Sequence, residues 1–484
     1  MNNKNLLSSL IVATFCAIST AALAQSPISD EKQQIVDTVD DLAGEIGDMS
    51  MALWNYSEIA LRETQSAEHL AKVLENEGFS VERGVADMPT AFVAEWGSGK
   101  PVIAVLAEYD ALPDIGNDPV PMRQPRGDEH PHGHGCGHNL FGAGSVAAAM
   151  ALKRVMEAND MQGTVKLFGS PAEETLVGKV YMANAGLFDG IDITLDWHPM
   201  HETFVNNDRG QAMNNFQVEF FGKAAHGAFD PWNGRSALDA VELMNHAANM
   251  MREHIEPTAR IHYVIPDGGD APNVVPDYAK VWYYVRDNDR AKVEQNYQWL
   301  TEIAEAAAMA TQTTHKLTLI TGVHEILINR PLQEAAQVNL DYVGPPVFGE
   351  EDHQYARELQ EFLGLEPRGM STEVRPLKSE IEPTSGGSTD VAEVTRLAPG
   401  VSIYVATAGL GLPWHSWATS ASHGRPGASE GAVVAAKVLA MTAMDFIQDE
   451  ELRQMARAEF DEKMSAQPYV SPIPKGQKPM LPED

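Results

Sequence analysis

The densest group of chemically capable side chains lies at His130-Pro131-His132-Gly133-His134-Gly135-Cys136-Gly137-His138, with four histidines and one cysteine in nine positions. Imidazole and thiolate suit zinc and similar transition ions. The interleaved glycines let the backbone fold tightly enough for side chains two apart to converge. Cys136 and His138 are the favoured ligand pair. On local grounds alone, a histidine-rich surface tract that binds metal loosely is the competing reading. A second signal is Glu173-Glu174, after the turn Ser170-Pro171. Adjacent carboxylates repel, and burying both requires a cation nearby. One can ligate a metal while the other faces the attacking water as general base. A third is His198 in Asp196-Trp197-His198, and a fourth is His415 in Pro413-Trp414-His415-Ser416-Trp417. His423, eight residues on, competes with His415 for the same role. Cys136, His138, Glu174, His198 and His415 together offer more S, N and O ligands than one four-coordinate zinc takes. They suit two ions with shared bridges, which can polarise a carbonyl and generate hydroxide. With Glu173 as base, the chemistry is amide or ester hydrolysis.

These clusters need strands and helices to bring them together. Gln33 to about Leu74 reads mainly as helix, with Gly78 as a stop signal just beyond. Val102 to Ala107 is a buried strand pattern, and Ala143 to Met156 a small-residue helix packed on that sheet. Val165 to Gly169 and Ile191 to Trp197 are further strands, each followed by one of the clusters. Strands alternating with helices predict an α/β layered domain, and ligands in open α/β sheets gather at the strands' carboxyl ends. The pattern changes near Asn214. Strand, helix, strand, strand, helix, strand follow at Phe216–Phe221, Ala237–His254, Ala259–Val264, Lys280–Arg286, Val293–Thr311 and His315–Ile320. That order is the ferredoxin-like unit. It predicts an insert over 214–328, between a first catalytic segment, 25–213, and a second, 329–484. Helix Glu351–Leu363, strand Val401–Ala406 and helix Ala428–Asp449 complete the second segment, and the tail from Gln467 is expected along the surface.

Composition narrows the function classes. The chain has 484 residues with 35 Lys+Arg and 68 Asp+Glu, a formal charge of −33. Such a chain repels phosphate backbones and anionic membranes, which argues against a nucleic-acid partner. Residues 1–24 read as an export signal: Lys4, then an apolar stretch from Leu6, then Ala22-Leu23-Ala24 as a small-x-small cleavage site. The expected location is periplasmic or secreted, with no membrane anchor after cleavage. Cys16 leaves with the signal, so the mature chain keeps Cys136 alone and has no internal disulfide.

The motifs resemble the aminoacylase/hippuricase metallopeptidases, and within them the p-aminobenzoyl-glutamate hydrolase branch. The matching segments are Ala107–Pro113, Gly133–Asn139, Pro171–Glu174, Asp196–Pro199, Gly222–Gly227, Asn273–Pro276, Ser388–Val391 and His415–Trp417, in the family's order. The resemblance implies a central mixed β-sheet flanked by helices, with the ferredoxin-like α+β insert acting as lid and dimerisation domain. It puts Cys136, His138, Glu174, His198 and His415 on the metal positions of a two-ion centre, zinc or manganese, and Glu173 on the general base. It puts His226 on a lid histidine that steadies the oxyanion in a partner subunit's site, Asn273 on a substrate-holding asparagine, and Asp110 on an acid supporting the metals from behind. Many members carry a ligand histidine where this chain has Glu108, and Cys136 would replace it. The implied activity is hydrolysis of N-acyl amino acids or related small amides by a homodimer. Two rivals from other classes are a binding protein that retains the fold without catalysis, and a Cys136 nucleophile assisted by histidine.

Overall fold

The computed structural model describes residues 28–482 apart from 383 and 385, so the export signal expected over 1–24 lies outside the described residues. The apolar run Val102–Glu108 becomes β3, at the centre of a seven-stranded sheet. The strands in chain order are β1 (Ser80–Arg83), β2 (Phe92–Ser98), β3, β4 (Gly163–Ser170), β5 (Ile193–Met200), β6 (Phe204–Val205), β7 (Ala212–Phe221), β8 (Arg260–Asp267), β9 (Tyr278–Asp287), β10 (Thr314–Val323) and β11 (Gly400–Ala406). The large sheet runs β1-β2-β4-β3-β5-β11-β6. Its central strands β4, β3, β5 and β11 are mutually parallel, while β1, β2 and β6 pair antiparallel at the edges. It is the expected mixed sheet flanked by helices.

Parallel central strands are buried on both faces and read as apolar runs. Alternation in β3 sends Ile103, Val105 and Ala107 to one core and Ala104 and Leu106 to the other. Helices Asp30–Tyr56, His138–Ala158 and Ser429–Gln448 pack together over the first core. Small residues permit this approach: a Cβ on Gly144 would lie 2.9 Å from Trp197 Cζ2 and 3.1 Å from Ala432 O.

The chain between β6 and helix Arg330–Val343 builds a second sheet, ordered β10-β7-β9-β8 and antiparallel throughout. With helices Ala237–Met251 and Arg290–Thr311 it follows the β-α-β-β-α-β order of the ferredoxin-like unit. Ser236 and Asp289 cap the two helices, accepting from Asp239 N and Ala291 N. Both helices cover one sheet face, over Phe216, Val218, Val281, Tyr283 and Val285.

Several expectations need correction. The stretch Gln33–Leu74 is two helices, Asp30–Tyr56 and Thr64–Asn76, because Ser57 turns left-handed at φ 45°. Helices Arg330–Val343 and Glu450–Ala466 have no counterpart in the sequence reading. The tail does more than cross the surface: Ile473 is buried, and Gln477 donates to Tyr181 Oη and to Leu319 O. Among the described residues no helix is long and apolar enough to cross a membrane.

Candidate metal centre

The four parallel strands end on one edge, and the chemistry gathers there. Asp110 lies two residues past β3, and Glu173-Glu174 three and four past β4. His198 lies inside β5 rather than just beyond it, since that strand runs on to Met200. His415 occupies the loop between β11 and helix Trp417–His423. Cys136 and His138 flank Gly137, which enters helix His138–Ala158 at φ 79°. A Cβ there would meet Pro199 Cβ at 2.8 Å and His423 Cε1 at 3.0 Å, so the tight ligand loop requires glycine. The glutamate pair sits in a short turn between left-handed Ala172 (φ 58°) and Leu176 (φ 58°), and His415 is itself left-handed at φ 55°. Non-glycine residues held in that region concentrate at functional sites.

Two groups of potential ligand atoms share one sulfur. Donor atoms of Cys136, His138 and His198 lie within 4.8 Å of one another, as do those of Cys136, Glu174 and His415. His138 donates through Nδ1 to Asp110 Oδ1 at 2.9 Å, which directs Nε2 toward the centre, and Glu174 N donates to Asp110 Oδ2 at 2.9 Å. His198 donates through Nδ1 to Pro199 O at 2.7 Å, leaving Nε2 3.3 Å from Cys136 Sγ. His423 is excluded from the group. Its Nδ1 donates to His134 O at 2.7 Å and its Nε2 accepts from Thr407 Oγ1 at 3.1 Å, whereas His415 Nε2 lies 3.4 Å from Glu174 Oε2.

The donor set fits a pair of cations. His138 Nε2 and Glu174 Oε1 are buried without a hydrogen-bond partner. Burial, with Asp110 and Glu108 nearby, pushes Glu174 up to about 8. Burial and the charge of Glu174 push the Cys136 thiol upward, and burial with Glu108 and Asp390 holds Glu173 well above the usual carboxylate range. Burial, reinforced by His138, lowers His198 to about 3, so its imidazole is neutral and able to ligate. The upward shifts of Cys136, Glu173 and Glu174 report a shortage of positive charge that divalent ions would supply.

Sequence reasoning missed the residues around this set. A third group of donors, Glu108, His138 and Glu173, also lies within 4.8 Å. Glu108 already has a cation: the fully buried Lys179 Nζ stands 2.6 Å from Glu108 Oε1 and 2.6 Å from Asp390 Oδ1. Asp390 belongs to the Ser388–Val391 motif, which had no role until Lys179 gave it a partner. Glu63 is fully buried and accepts from Ala172 N and Thr90 Oγ1, each at 2.9 Å, and so holds the turn that presents Glu173. The centre opens on a cavity of about 340 Å³, into which β9 sends Tyr284 and Arg286. Arg286 Nη1 donates to Ser388 Oγ at 3.3 Å, its Nε is buried without an acceptor, and no carboxylate pairs with it among the described residues. His226 and Asn273 are brought together in the insert, where His226 bridges Val274 and Gly227 N donates to Asn273 O at 2.8 Å. Neither lines this cavity.

Comparison with known proteins accords with this geometry. Residues 211–312 match the peptidase dimerisation domain of M20 peptidases. The chain is 36% identical over 460 residues to a component chain of the p-aminobenzoyl-glutamate hydrolase of Escherichia coli, covering 89% of this chain and 95% of that one. The chain belongs to the M20 family. It is also 30% identical to the human Xaa-Arg dipeptidase, over 91% of this chain and 94% of the relative. Its fold is similar to that of a dinuclear metal-binding M20 peptidase from Bacillus subtilis, with a TM-score of 0.53 at 19% identity, covering 83% and 99% of the two chains. This M20 chain is a metal-dependent amidohydrolase, related to enzymes that cleave amide bonds.

Proposed function

We propose that this M20 chain hydrolyses N-acyl or N-aroyl amino acids at a two-ion centre in which Cys136 is the shared ligand. The supporting observation is the pair of three-donor groups joined at Cys136, with Glu173 beside them and Arg286 facing the same cavity unpaired. Zinc and manganese both suit the donors. When bound, such ions polarise the amide carbonyl and acidify a water. Cys136, His138 and His198 form one donor group that would hold an ion, and Cys136, Glu174 and His415 form the other. Asp110 fixes the tautomer of His138 through its Nδ1 hydrogen. Glu173 accepts the water's proton and returns it to the leaving nitrogen, a role favoured by a carboxyl whose proton affinity burial has raised. Arg286 takes the free carboxylate of the amino-acid half, because a lone guanidinium binds carboxylate in two-pronged fashion. Dipeptides carry the same carboxylate and are the alternative substrates.

The insert supplies the remaining groups. His226 accepts through Nδ1 from Phe229 N at 3.1 Å, leaving Nε2 to donate outward. In a homodimer that imidazole would steady the oxyanion in the second copy's cavity, with Asn273 holding substrate. The match to a dimerisation domain supports this arrangement. Export rests on the Ala22-Leu23-Ala24 pattern. The test is hydrolysis of N-benzoyl and N-acetyl amino acids and dipeptides by the metal-loaded protein and its Glu173→Gln variant. Turnover is expected to fall at least about a thousandfold with metal content retained. Near-normal turnover in the variant would overturn the assignment of the base.

A further inference from the structure

The third donor group offers His138 an alternative. Its side chain belongs both to the group with Cys136 and His198 and to the group with Glu108 and Glu173. His138 Nε2 stands 3.2 Å from Glu108 Oε2 and 3.9 Å from Glu173 Oε2. With its Nδ1 committed to Asp110, His138 has one nitrogen left for one ion. On one side that ion would meet sulfur and imidazole nitrogen, donors that suit zinc. On the other it would meet two carboxylates, donors that suit manganese and magnesium. The carboxylate side would also tie up Glu173 and so remove the base from the water.

A lysine stands where the two sides diverge. Alternation along β3 sends Glu108 to the same side as Ala104 and Leu106, toward the second core. Helices Gly178–Asn184 and Val391–Thr395 contribute to that core, and Lys179 of the first is wholly buried. Its Nζ stands 2.6 Å from Glu108 Oε1 and 2.6 Å from Asp390 Oδ1, and Asp390 Oδ2 accepts from Lys179 N at 2.8 Å. Asp390 thus grips the lysine by both backbone and side chain and fixes the ammonium against Glu108. Burial opposes the charge of Lys179, but Asp390, Glu108 and Glu173 outweigh it, and the ammonium keeps its proton. A buried ion pair stabilises a fold no better than apolar residues of similar volume, so this lysine needs a reason beyond stability. It neutralises a carboxylate that would otherwise attract a divalent ion.

We propose that Lys179 is a positioning residue that decides which donors share an ion with His138. Its ammonium occupies Glu108 and supplies positive charge to the carboxylate side. An ion on His138 therefore stays with Cys136 and His198, and Glu173 stays free to act as base. Lys179 thereby favours zinc over manganese at that position. The proposal rests on the two-ion reading of the centre.

The test is equilibrium dialysis of the full chain against zinc and manganese together, read by elemental analysis without turnover. Lys179→Met frees Glu108 and is expected to lower the ratio of bound zinc to bound manganese about tenfold or more. In the manganese-loaded variant, X-ray absorption is expected to find about half as many sulfur neighbours per ion as in the wild type, because one of two ions leaves Cys136. Lys179→Met/Glu108→Gln is expected to restore the wild-type ratio, a rescue that a merely structural lysine would not give. Lys179→Met/Asp390→Asn relieves one of the two unpaired carboxylates and serves where Lys179→Met does not fold. An unchanged ratio in either of these overturns the proposal. Glu108→Gln keeps the lysine and is expected to hold two ions at the wild-type ratio, because Glu108 is already occupied. Loss of an ion in that variant makes Glu108 a ligand and overturns the proposal. A ratio that shifts as expected, in a wild type that hydrolyses no N-acyl amino acid, upholds the role of Lys179 and refutes the proposed reaction. Hydrolysis with a ratio indifferent to Lys179 does the reverse.

Discussion

Glu63 offers a sharp test of how the turn bearing Glu173 is held. Burial is the main cause, and Asp110 the second, of a carboxyl pushed up to about 8 from an ordinary 4.5. Between those values the folded chain keeps a proton that the unfolded chain has lost. Stability therefore falls as pH rises from 4.5 toward 8, by up to about 1.4 kcal/mol per pH unit. The full interval comes to about 5 kcal/mol as an upper bound, since relaxation around the charged form reduces it. Glu63→Gln removes the titration and keeps the network. The amide oxygen can accept from Ala172 N, and the amide nitrogen can donate to Thr90 Oγ1 once that hydroxyl, which donates to the Glu63 carboxylate, turns to accept, as it must for the protonated acid. Thermal unfolding followed from pH 5 to 8 should show the wild type losing about 5 °C at most relative to the variant. The variant should be the more stable protein at pH 8. If Glu63→Gln is less stable than wild type at pH 8, with a parallel pH profile, then Glu63 is ionised in the fold and the account of the turn is wrong.

The shared ligand makes a second prediction. Cys136→Ser should strip most metal from both positions, whereas His415→Ala should lower the content by about one ion per chain, because His415 belongs to one donor group and Cys136 to both. Elemental analysis of the dialysed variants distinguishes the two. Arg286→Met should raise KM about ten- to a hundredfold for N-acyl amino acids with a free carboxylate and leave the corresponding methyl esters little affected, as steady-state kinetics would register. Light scattering should find the purified chain as a dimer, and mixing Glu173→Gln with His226→Ala chains should restore activity that neither homodimer has, since a mixed dimer holds one intact site.

Much of the donor cluster was legible because its side chains are rare residue types set beside recognisable strands. Cys136, His138, Glu174 and His198 each follow from local spacing and from the rule that parallel strands carry their chemistry at the carboxyl end. The choice between His415 and His423 was not local. It turns on Ser416, which caps helix Trp417–His423 and carries His423 into the core against Thr407 and His134 O. The Lys179–Asp390 pair joins residues 211 positions apart, and only the folded sheet brings them together. Arg286 looks like an ordinary outward-facing strand residue, since nothing in an alternating pattern says that its face is open to a cleft. The break at Ser57 escaped for a related reason: a lone serine in the left-handed region leaves no glycine or proline to mark it.

The account stands on two cations meeting at one sulfur. X-ray absorption on the metal-reconstituted protein, combined with elemental analysis, measures this directly. Two ions per chain, each with a sulfur neighbour that Cys136→Ser removes, is the predicted result. A single ion per chain, or two ions whose surroundings contain no sulfur, would contradict it.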